Sequence, residues 1–230
     1  MLDIKDLDAY YGGSRVIEGL SLSIETGSIT ALIGRNGMGK STTLKSVMGL
    51  VKVPVGEISL DGRNIIKVPT YDRVKLGIGY VPQGRDIFPQ MTVLENLMLP
   101  LGAQGKKQVI PDYIFGLFPI LPQFAKRRGG DLSGGQQQQL AIARALVSEP
   151  KILILDEPTE GIQPSIIKDI GAAIKKINTE KGITVFLVEQ YLDFVLEFSD
   201  SLNIMEKGKI VLSGKTKELE TCEIQKILAE

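Results

Sequence analysis

Residues 29–48 have the sequence ITALIGRNGMGKSTTLKSVM, in which an apolar run, a glycine-rich stretch and a helical pattern follow one another. The apolar run Ile29–Ile33 predicts a short buried strand. The apolar residues beyond the glycines fall at positions i, i+3, i+4 and i+7, which predicts one face of a helix. These residues are Leu44, Val47, Met48 and Val51. We therefore expect a strand, a glycine-rich loop from Gly34 to Gly39 and a helix, in that order.

The glycine-rich loop matches the pattern G-x-x-x-x-G-K-[ST] through Gly34, Gly39, Lys40 and Ser41. In such a loop the backbone N–H groups point inward to an anion, and the helix N-terminus adds partial positive charge. Lys40 would then bridge the outer phosphates of a nucleotide, and the Ser41 hydroxyl would bind Mg²⁺. The alternative is a glycine-rich turn that binds nothing, which the flanking strand and helix disfavour.

A second apolar strand, Ile152–Leu155, ends in two carboxylates, Asp156 and Glu157. Ligands in an open parallel sheet bind at the carboxyl ends of the strands, so this is where acidic residues can act. Asp156 fits a Mg²⁺ role, and Glu157 fits a base or water-positioning role beside the terminal phosphate. Taken alone, two acids after a strand more often indicate a solvated strand end. The glycine-rich loop in the same chain gives this pair its weight.

The rest of the chain predicts two kinds of sheet. Alternating apolar residues in the first sixty positions predict an antiparallel β layer. The strands Ile152–Leu155 and Thr184–Val188, separated by the helical stretch Ile166–Ile177, predict a parallel βαβ unit. Apolar alternation around a turn at Lys207 and Gly208 predicts a hairpin, and a final helix is expected from about Thr216 to Leu228.

Composition excludes several classes of protein. The chain has 230 residues, with 27 Lys and Arg against 27 Asp and Glu, and zero net charge argues against a nucleic-acid surface. It has no histidine, which makes a hydrolytic zinc site or a Ser/His/Asp triad untenable. We expect no membrane-spanning segment, since no apolar run approaches the roughly 20 residues required. The single cysteine, Cys222, and the absence of a secretory signal favour the cytosol.

Residues 132–136 have the sequence LSGGQ. Ser133 followed by Gln136 at the third position predicts a capping box, so a helix should begin at Ser133 and end before Pro150. Its N-terminus is a second candidate anion site. The alternative is a well-capped helix with no ligand.

With this motif the sequence resembles the ATP-binding subunits of ABC transporters, over essentially the whole chain. The motifs that carry the resemblance are, in order, Tyr11 before Gly12, the glycine-rich loop, Gln83 in Val81-Pro82-Gln83, the LSGGQ motif and the pair Asp156-Glu157. The resemblance implies a P-loop NTPase of the ABC ATPase type: α/β, with a parallel-core sheet and an antiparallel β layer. One ATP-binding domain would span residues 1–230, with a helical subdomain inserted at about 86–145.

The resemblance also implies MgATP hydrolysis and roles for individual residues. Tyr11 would stack on adenine, and Lys40, Glu157 and Gln190 would act in catalysis. The metal would be held by Ser41, Gln83 and Asp156. The complete nucleotide-binding set is Tyr11, Gly34, Arg35, Asn36, Gly37, Met38, Gly39, Lys40, Ser41, Thr42, Gln83, Ser133, Gly134, Gly135 and Gln136. Two subunits would pair head to tail, with each ATP between the glycine-rich loop of one and the LSGGQ motif of the other.

Two positions depart from the general family pattern. Gln190 stands where most members have histidine, and the loop after Glu157 ends in Gln163 rather than Asp. An amide can donate a hydrogen bond but cannot titrate, which leaves Glu157 as the candidate base. At these positions the sequence resembles the ATP-binding subunits of importers for branched-chain amino acids and for urea and short amides. The stretches most similar to the urea type are Arg128–Asp131, Gln136–Gln139, Glu160–Pro164 and Gln190–Phe194.

The resemblance therefore implies import of a small nitrogen compound, with urea expected and branched-chain amino acids as the alternative. The implied partners are ATP, membrane permease subunits, a second ATP-binding subunit, identical or related, and indirectly a substrate-binding protein, but no nucleic acid. The protein would lie peripherally on the cytoplasmic face of the inner membrane. ABC-type ATPases that act on DNA or the ribosome are a remote alternative, because the interval from Ser41 to Ser133 has no long coiled coil and only one cassette is present. A regulatory module without catalysis would be expected to lack Lys40 or Glu157.

The apolar segment from Ile114 to Phe124 allows two interpretations. It is either core of the helical subdomain, or some of Phe115, Phe118 and Phe124 line a groove for a helix of the membrane subunits.

Overall fold

The strands lie in two sheets. The computed structural model describes residues 1–103 and 109–229, and ten strands lie within them. Their bounds are β1 Leu2–Tyr11, β2 Ser14–Ile24, β3 Ile29–Ile33, β4 Lys52–Leu60, β5 Arg63–Asn64, β6 Ile78–Val81, β7 Ile152–Asp156, β8 Thr184–Glu189, β9 Ser201–Glu206 and β10 Lys209–Lys215.

Nine α-helices lie in the same described ranges. Their bounds are α1 Lys40–Met48, α2 Thr70–Lys75, α3 Val93–Ala103, α4 Asp112–Leu117, α5 Ile120–Gln123, α6 Gly134–Leu146, α7 Pro164–Lys181, α8 Leu192–Phe198 and α9 Thr221–Ala229. Short 3-10 turns occur at Gly129–Asp131 and Thr216–Glu218. None of the described helices is both long enough and apolar enough to cross a membrane.

The antiparallel layer is a four-stranded sheet in the order β2-β1-β4-β5. Strand β1 pairs antiparallel with β2 on one side and with β4 on the other. Alternate residues of these strands are buried, among them Leu2, Ile4, Leu22 and Ile58. The predicted β layer is confirmed, and its apolar face covers one side of the second sheet.

The second sheet has six strands in the order β10-β9-β3-β8-β7-β6. Strands β9, β3, β8, β7 and β6 run parallel, and β10 adds an antiparallel edge through the predicted hairpin with β9. Both faces of the central strands are buried. In β7, Leu153 and Leu155 pack toward α6 and α7, whereas Ile152 and Ile154 pack toward α1 and the β layer. This is why these strands are continuous apolar runs.

Helix α1 follows β3 directly after the glycine-rich loop and is shorter than predicted. It ends at Met48, because Gly49 takes a left-handed conformation with φ 71° and terminates the hydrogen-bond pattern. The prediction that Val51 continues the helical face was wrong. Leu44, Val47 and Met48 are buried against the β layer as expected.

The buried side chain of Arg73 caps the C-terminus of α1. Its guanidinium donates to the carbonyl oxygens of Ser46 and Val47 at the end of the helix, and to those of Ile66 and Val68 in the following loop. Only 2% of Arg73 is exposed. The guanidinium thereby adds donors for carbonyl groups at the end of the helix, where the Ser46 carbonyl also accepts from the Gly49 N–H.

Between β6 and β7 the described residues form helices and turns, with one isolated bridge between Thr92 and Arg128. The division into a subdomain at about 86–145 stays a prediction, and residues 104–108 of that range lie outside the described residues. Phe118 is buried in the core, so the groove interpretation was wrong for this residue. Phe115 and Phe124 are partly buried against the same core, and the Arg127 guanidinium lies over the Phe124 ring.

The end of the chain differs from the single predicted helix. A 3-10 turn at Thr216–Glu218 precedes α9, with Leu219 in an extended conformation between them. Thr216 is anchored, because its N–H donates to the Asp200 carbonyl and its hydroxyl bonds to that of Ser199. This buried anchor fixes the chain direction before a helix can form, so α9 starts only at Thr221.

We predict that Arg73→Leu lowers the free energy of unfolding by about 3 kcal/mol, because buried carbonyl groups lose their donors. Arg73→Lys should cost about half as much, since one ammonium replaces part of the donor set. Urea denaturation of the purified chain measures both values. The matched control is Arg63→Leu on the exposed strand β5, where we expect less than about 0.5 kcal/mol. A loss for Arg73→Leu no larger than that of the control would contradict the capping role.

Candidate nucleotide-binding site

A cavity of about 280 Å³ lies where the glycine-rich loop meets the carboxyl end of β7. Its position follows from the strand order, because β3, β8 and β7 are adjacent and parallel and so end at one edge of the sheet. The residues that line it are Val16, Asn36, Gly37, Gly39, Lys40, Ser41, Thr42, Gln83 and Glu157. The structure thus brings most of the predicted loop residues together with Gln83 and Glu157.

The loop has the backbone geometry of an anion site. Gly37 and Gly39 have φ values of 81° and 107°, a conformation that residues with a side chain rarely adopt. No side chain caps the N-terminus of α1, and its first turn contains no acidic residue. The first amides of this helix therefore face the cavity without a side-chain acceptor, an arrangement that suits phosphate oxygens.

The Lys40 ammonium lies inside the loop and is 4% exposed. It donates to the carbonyl oxygens of Gly34 at 2.7 Å and Arg35 at 3.1 Å. It also lies 3.4 Å from the carboxylate of Glu157. Lys40 is therefore held between the loop and the end of β7, at the position from which it can reach a bound anion.

Asp156 contacts the first turn of α1. The Ser41 hydroxyl donates to the Asp156 carboxylate at 3.1 Å, which joins β7 to the glycine-rich loop. Burial raises the pKa of Asp156 to about 6, and the nearby Glu157 charge adds to this, whereas the Ser41 hydrogen bond opposes it. The ionised form of Asp156 therefore lowers the stability of the folded chain, and a bound cation would offset this cost.

Two amides hold the Glu157 carboxylate. Gln190 donates from Nε2 to Glu157 Oε1 at 2.6 Å, and Gln83 donates from Nε2 to Glu157 Oε2 at 3.3 Å. Gln83 also donates to Glu160 at 3.0 Å. Glu157 itself takes a left-handed backbone conformation with φ 49°. The strand end, the Gln83 loop and the Gln190 loop therefore converge on one carboxylate.

The LSGGQ motif forms the predicted capping box outside this cavity. Gln136 N–H donates to the Ser133 hydroxyl at 3.4 Å, and Ser133 N–H donates to the Gln136 amide oxygen at 3.0 Å. The helix start is confirmed. Ser133, Gly134, Gly135 and Gln136 do not line the cavity of their own chain. Tyr11, at the exposed end of β1, does not line it either.

Four residues that the sequence analysis did not predict as site residues line the cavity or lie next to it. Val16 on β2 lines the cavity, and Glu160 accepts the hydrogen bond from Gln83. The Arg85 guanidinium lies between the Gln137 amide and the Glu160 carbonyl. Glu189 is buried beside Gln190, and a signal for it existed, since it is an acid that ends an apolar strand just as Asp156 does.

The side chains present fit Mg²⁺ bound together with a phosphate-bearing ligand. The described residues contain no cluster of three or more His, Cys, Asp or Glu side chains that could hold a metal. A hydroxyl and a carboxylate oxygen in contact, from Ser41 and Asp156, supply the hard ligands that Mg²⁺ prefers. Mg²⁺ commonly takes its remaining ligands from water and substrate phosphates.

A larger cavity, of about 530 Å³, lies between the segment Gly116–Ile120 and helix α7. Gln136 is the only predicted site residue among the described residues that line it. Its lining does not include the glycine-rich loop, Asp156 or Glu157. Most of the predicted site residues that line either cavity therefore line the smaller one, at the edge of the sheet.

Comparison with known proteins identifies the family. The family model for ABC transporters matches residues 17–160, which spans the glycine-rich loop, the LSGGQ motif and the pair Asp156-Glu157. A dimeric ATP-binding cassette solved in a post-hydrolysis state with ADP and phosphate has a TM-score of 0.82 to this chain. The two are 28% identical, over 94% of this chain and 99% of that one. The predicted fold class is confirmed.

Two relatives with curated descriptions extend over nearly the full chain. A probable branched-chain amino acid transport ATP-binding protein, LivF, of Archaeoglobus fulgidus is 39% identical over 95% of this chain and 94% of its own length. The high-affinity branched-chain amino acid transport ATP-binding protein BraG of Pseudomonas aeruginosa is 39% identical over 92% of this chain and 91% of its own length.

We predict that Asp156→Asn stabilises the nucleotide-free protein above about pH 6. Because the pKa of Asp156 is higher in the folded chain than its ordinary 3.8, the folded state binds the proton more tightly. Its free energy of unfolding therefore falls as pH rises from about 4 to about 6. Asparagine removes this loss and still accepts from Ser41.

Urea denaturation without nucleotide or Mg²⁺ measures this effect. We expect the variant to be more stable than wild type by on the order of 1 to 2 kcal/mol at about pH 7.5, and by less at about pH 5. A variant less stable than wild type at the higher pH would contradict the prediction.

Proposed function

The chain belongs to the ABC transporter family as an ATP-binding subunit, and on that premise we propose that it powers the import of branched-chain amino acids through separate membrane permease subunits. It is an ATPase that binds ATP with Mg²⁺. The two 39% identical relatives, both named for branched-chain amino acid transport, support the choice of substrate. They favour the alternative from the sequence over urea, which gains no support from them.

The observation that carries the catalytic part of the proposal is the contact set of Glu157. Lys40, Gln83 and Gln190 all lie within hydrogen-bond or ion-pair distance of its carboxylate, at the mouth of the glycine-rich loop. A carboxylate held at this position can accept a proton from water that attacks the terminal phosphate. We assign Glu157 this role, and Gln190 the role of orienting it and donating to a phosphate oxygen.

The same geometry supports a mode of ATP binding. The amides of Asn36 to Thr42 receive the phosphates, and Lys40 exchanges its loop carbonyl partners for phosphate oxygens. Ser41, Gln83 and Asp156 would hold Mg²⁺, which would supply neutralising charge to the phosphates when bound. Tyr11 stacks on the adenine base.

The LSGGQ motif acts on a second subunit in this proposal. Ser133 is exposed at the N-terminus of helix α6, and this N-terminus does not line the nucleotide cavity of the same chain. The solved cassette with ADP and phosphate is dimeric, which supports a pair of subunits. In the proposed pair the subunits are head to tail, with the motif of one facing the nucleotide of the other. The partner is an identical or a related ATP-binding subunit. A substrate-binding protein acts indirectly through the permease, and the ATPase lies on the cytoplasmic face of the membrane.

We predict that Glu157→Gln keeps ATP affinity within about threefold and lowers the hydrolysis rate by at least about 100-fold, because it removes a base but no phosphate contact. Lys40→Ala should instead weaken ATP binding by at least about tenfold, since it removes a buried cation from the phosphates. Titration with a fluorescent ATP analogue and a phosphate-release assay separate the two effects. Undiminished turnover in Glu157→Gln would refute the assignment of the base.

The proposed substrate is tested by uptake in a strain from which this coding sequence is deleted. We expect uptake of labelled leucine to fall to background and to return with the wild-type sequence but not with Glu157→Gln. Uptake of labelled urea should not change. Lost urea uptake with intact leucine uptake would overturn the branched-chain proposal and restore the urea prediction.

A further inference from the structure

Glu189 is the charged residue at the end of strand β8, after the apolar run Val185–Val188. It is 2% exposed, and its carboxylate accepts from backbone N–H groups of two different loops. Oε1 accepts from Thr159 N–H at 2.9 Å. Oε2 accepts from Gln190 N–H at 3.0 Å and from Tyr191 N–H at 3.4 Å.

Those two loops carry the groups proposed to act on the terminal phosphate. Thr159 lies two positions after Glu157, and Gln190 donates its side-chain amide to the same Glu157 at 2.6 Å. The regular pairing of the two strands ends just before this point, where Asp156 pairs with Val188 and Glu157 N–H donates to the Val188 carbonyl. After the end of this strand pairing, the Glu189 carboxylate joins the two loops by accepting hydrogen bonds from backbone N–H groups of both.

We propose that Glu189 is a positioning residue for ATP hydrolysis, which fixes the loop after Glu157 and the loop of Gln190 relative to each other. This inference rests on the roles proposed above for Glu157 and Gln190. Displacement of a reacting group by about 1 Å can cost a factor of 100 in rate, so a carboxylate that never touches the nucleotide can still control turnover.

A carboxylate is suited to this task in a way that an amide is not. It is an acceptor at both oxygens, so it satisfies three N–H donors that approach from two directions. Glutamine has the same shape but only one acceptor oxygen, and its NH₂ group would face a backbone N–H on one side. Glu189→Gln therefore releases one loop while the volume in the core is kept.

Steady-state ATPase kinetics of the purified full chain test the proposal. For Glu189→Gln we expect kcat to fall about 10- to 100-fold while KM for ATP stays within about threefold, since the glycine-rich loop is not touched. The matched control is Glu197→Gln, the same exchange at an exposed residue of α8, where both constants should stay within about twofold. A kcat within twofold of wild type, or a loss that appears in KM alone, would overturn the positioning role.

Glu189→Asp supplies the conservative variant. It keeps both acceptor oxygens but withdraws them by one methylene, so it should retain more kcat than Glu189→Gln, with the same unchanged KM. If the glutamine variant does not fold, the aspartate variant carries the test, and wild-type kcat in it would overturn the proposal. Equal losses in both variants would also count against it.

Gln190→Ala separates this inference from the roles on which it rests. In the Gln190→Ala chain, Glu189→Gln should cause a smaller further loss of kcat than in wild type, because part of its effect passes through Gln190. An equal or larger further loss would overturn that coupling. Full activity of Gln190→Ala alone would instead refute the role of Gln190, a result that leaves the measured effect of Glu189→Gln on the other loop intact.

Discussion

The ion pair between Lys40 and Glu157 joins the two halves of the site, and both side chains are nearly buried. Lys40 belongs to the helix that follows β3, and Glu157 follows β7, so the pair forms only if those strands end at one edge with β8 between them. Burying two charges is expensive unless each also has hydrogen-bond partners. The loop carbonyls satisfy Lys40, and the amides of Gln83 and Gln190 satisfy Glu157.

The rest of the architecture holds that edge in place. The central strands are covered by α6, α7 and α8 on one face and by α1 and the antiparallel layer on the other. Arg73 fixes the far end of α1, and the Ser41 contact with Asp156 fixes its near end to β7. A shift of α1 along its axis would therefore break hydrogen bonds at both of its ends.

Much of the fold and part of the candidate site could be predicted from local sequence patterns. Strands buried on both faces are continuous apolar runs, and the capping box of Ser133 and Gln136 is a local pattern, so both were found. The end of α1 was missed because it depends on the conformation of Gly49 and on Arg73, which lies well beyond the helix in sequence. The break before α9 depends on Thr216 binding to Ser199 and Asp200. Glu189 was missed because its proposed role depends on the hydrogen bond from Thr159 N–H. Thr159 follows strand β7, so it is distant from Glu189 in sequence.

The position of Lys40 has a consequence for the energetics of nucleotide capture. Its side chain is 4% exposed, and its ammonium donates to the carbonyl oxygens of Gly34 and Arg35. The cost of removing that charge from solvent is therefore part of folding and does not recur when ATP arrives. In the proposed binding mode, loop carbonyl oxygens are exchanged for phosphate oxygens around a cation that is already positioned and that also has the Glu157 carboxylate 3.4 Å away. The affinity of the loop for phosphate thus depends on how firmly the folded chain keeps the Lys40 ammonium buried against the loop.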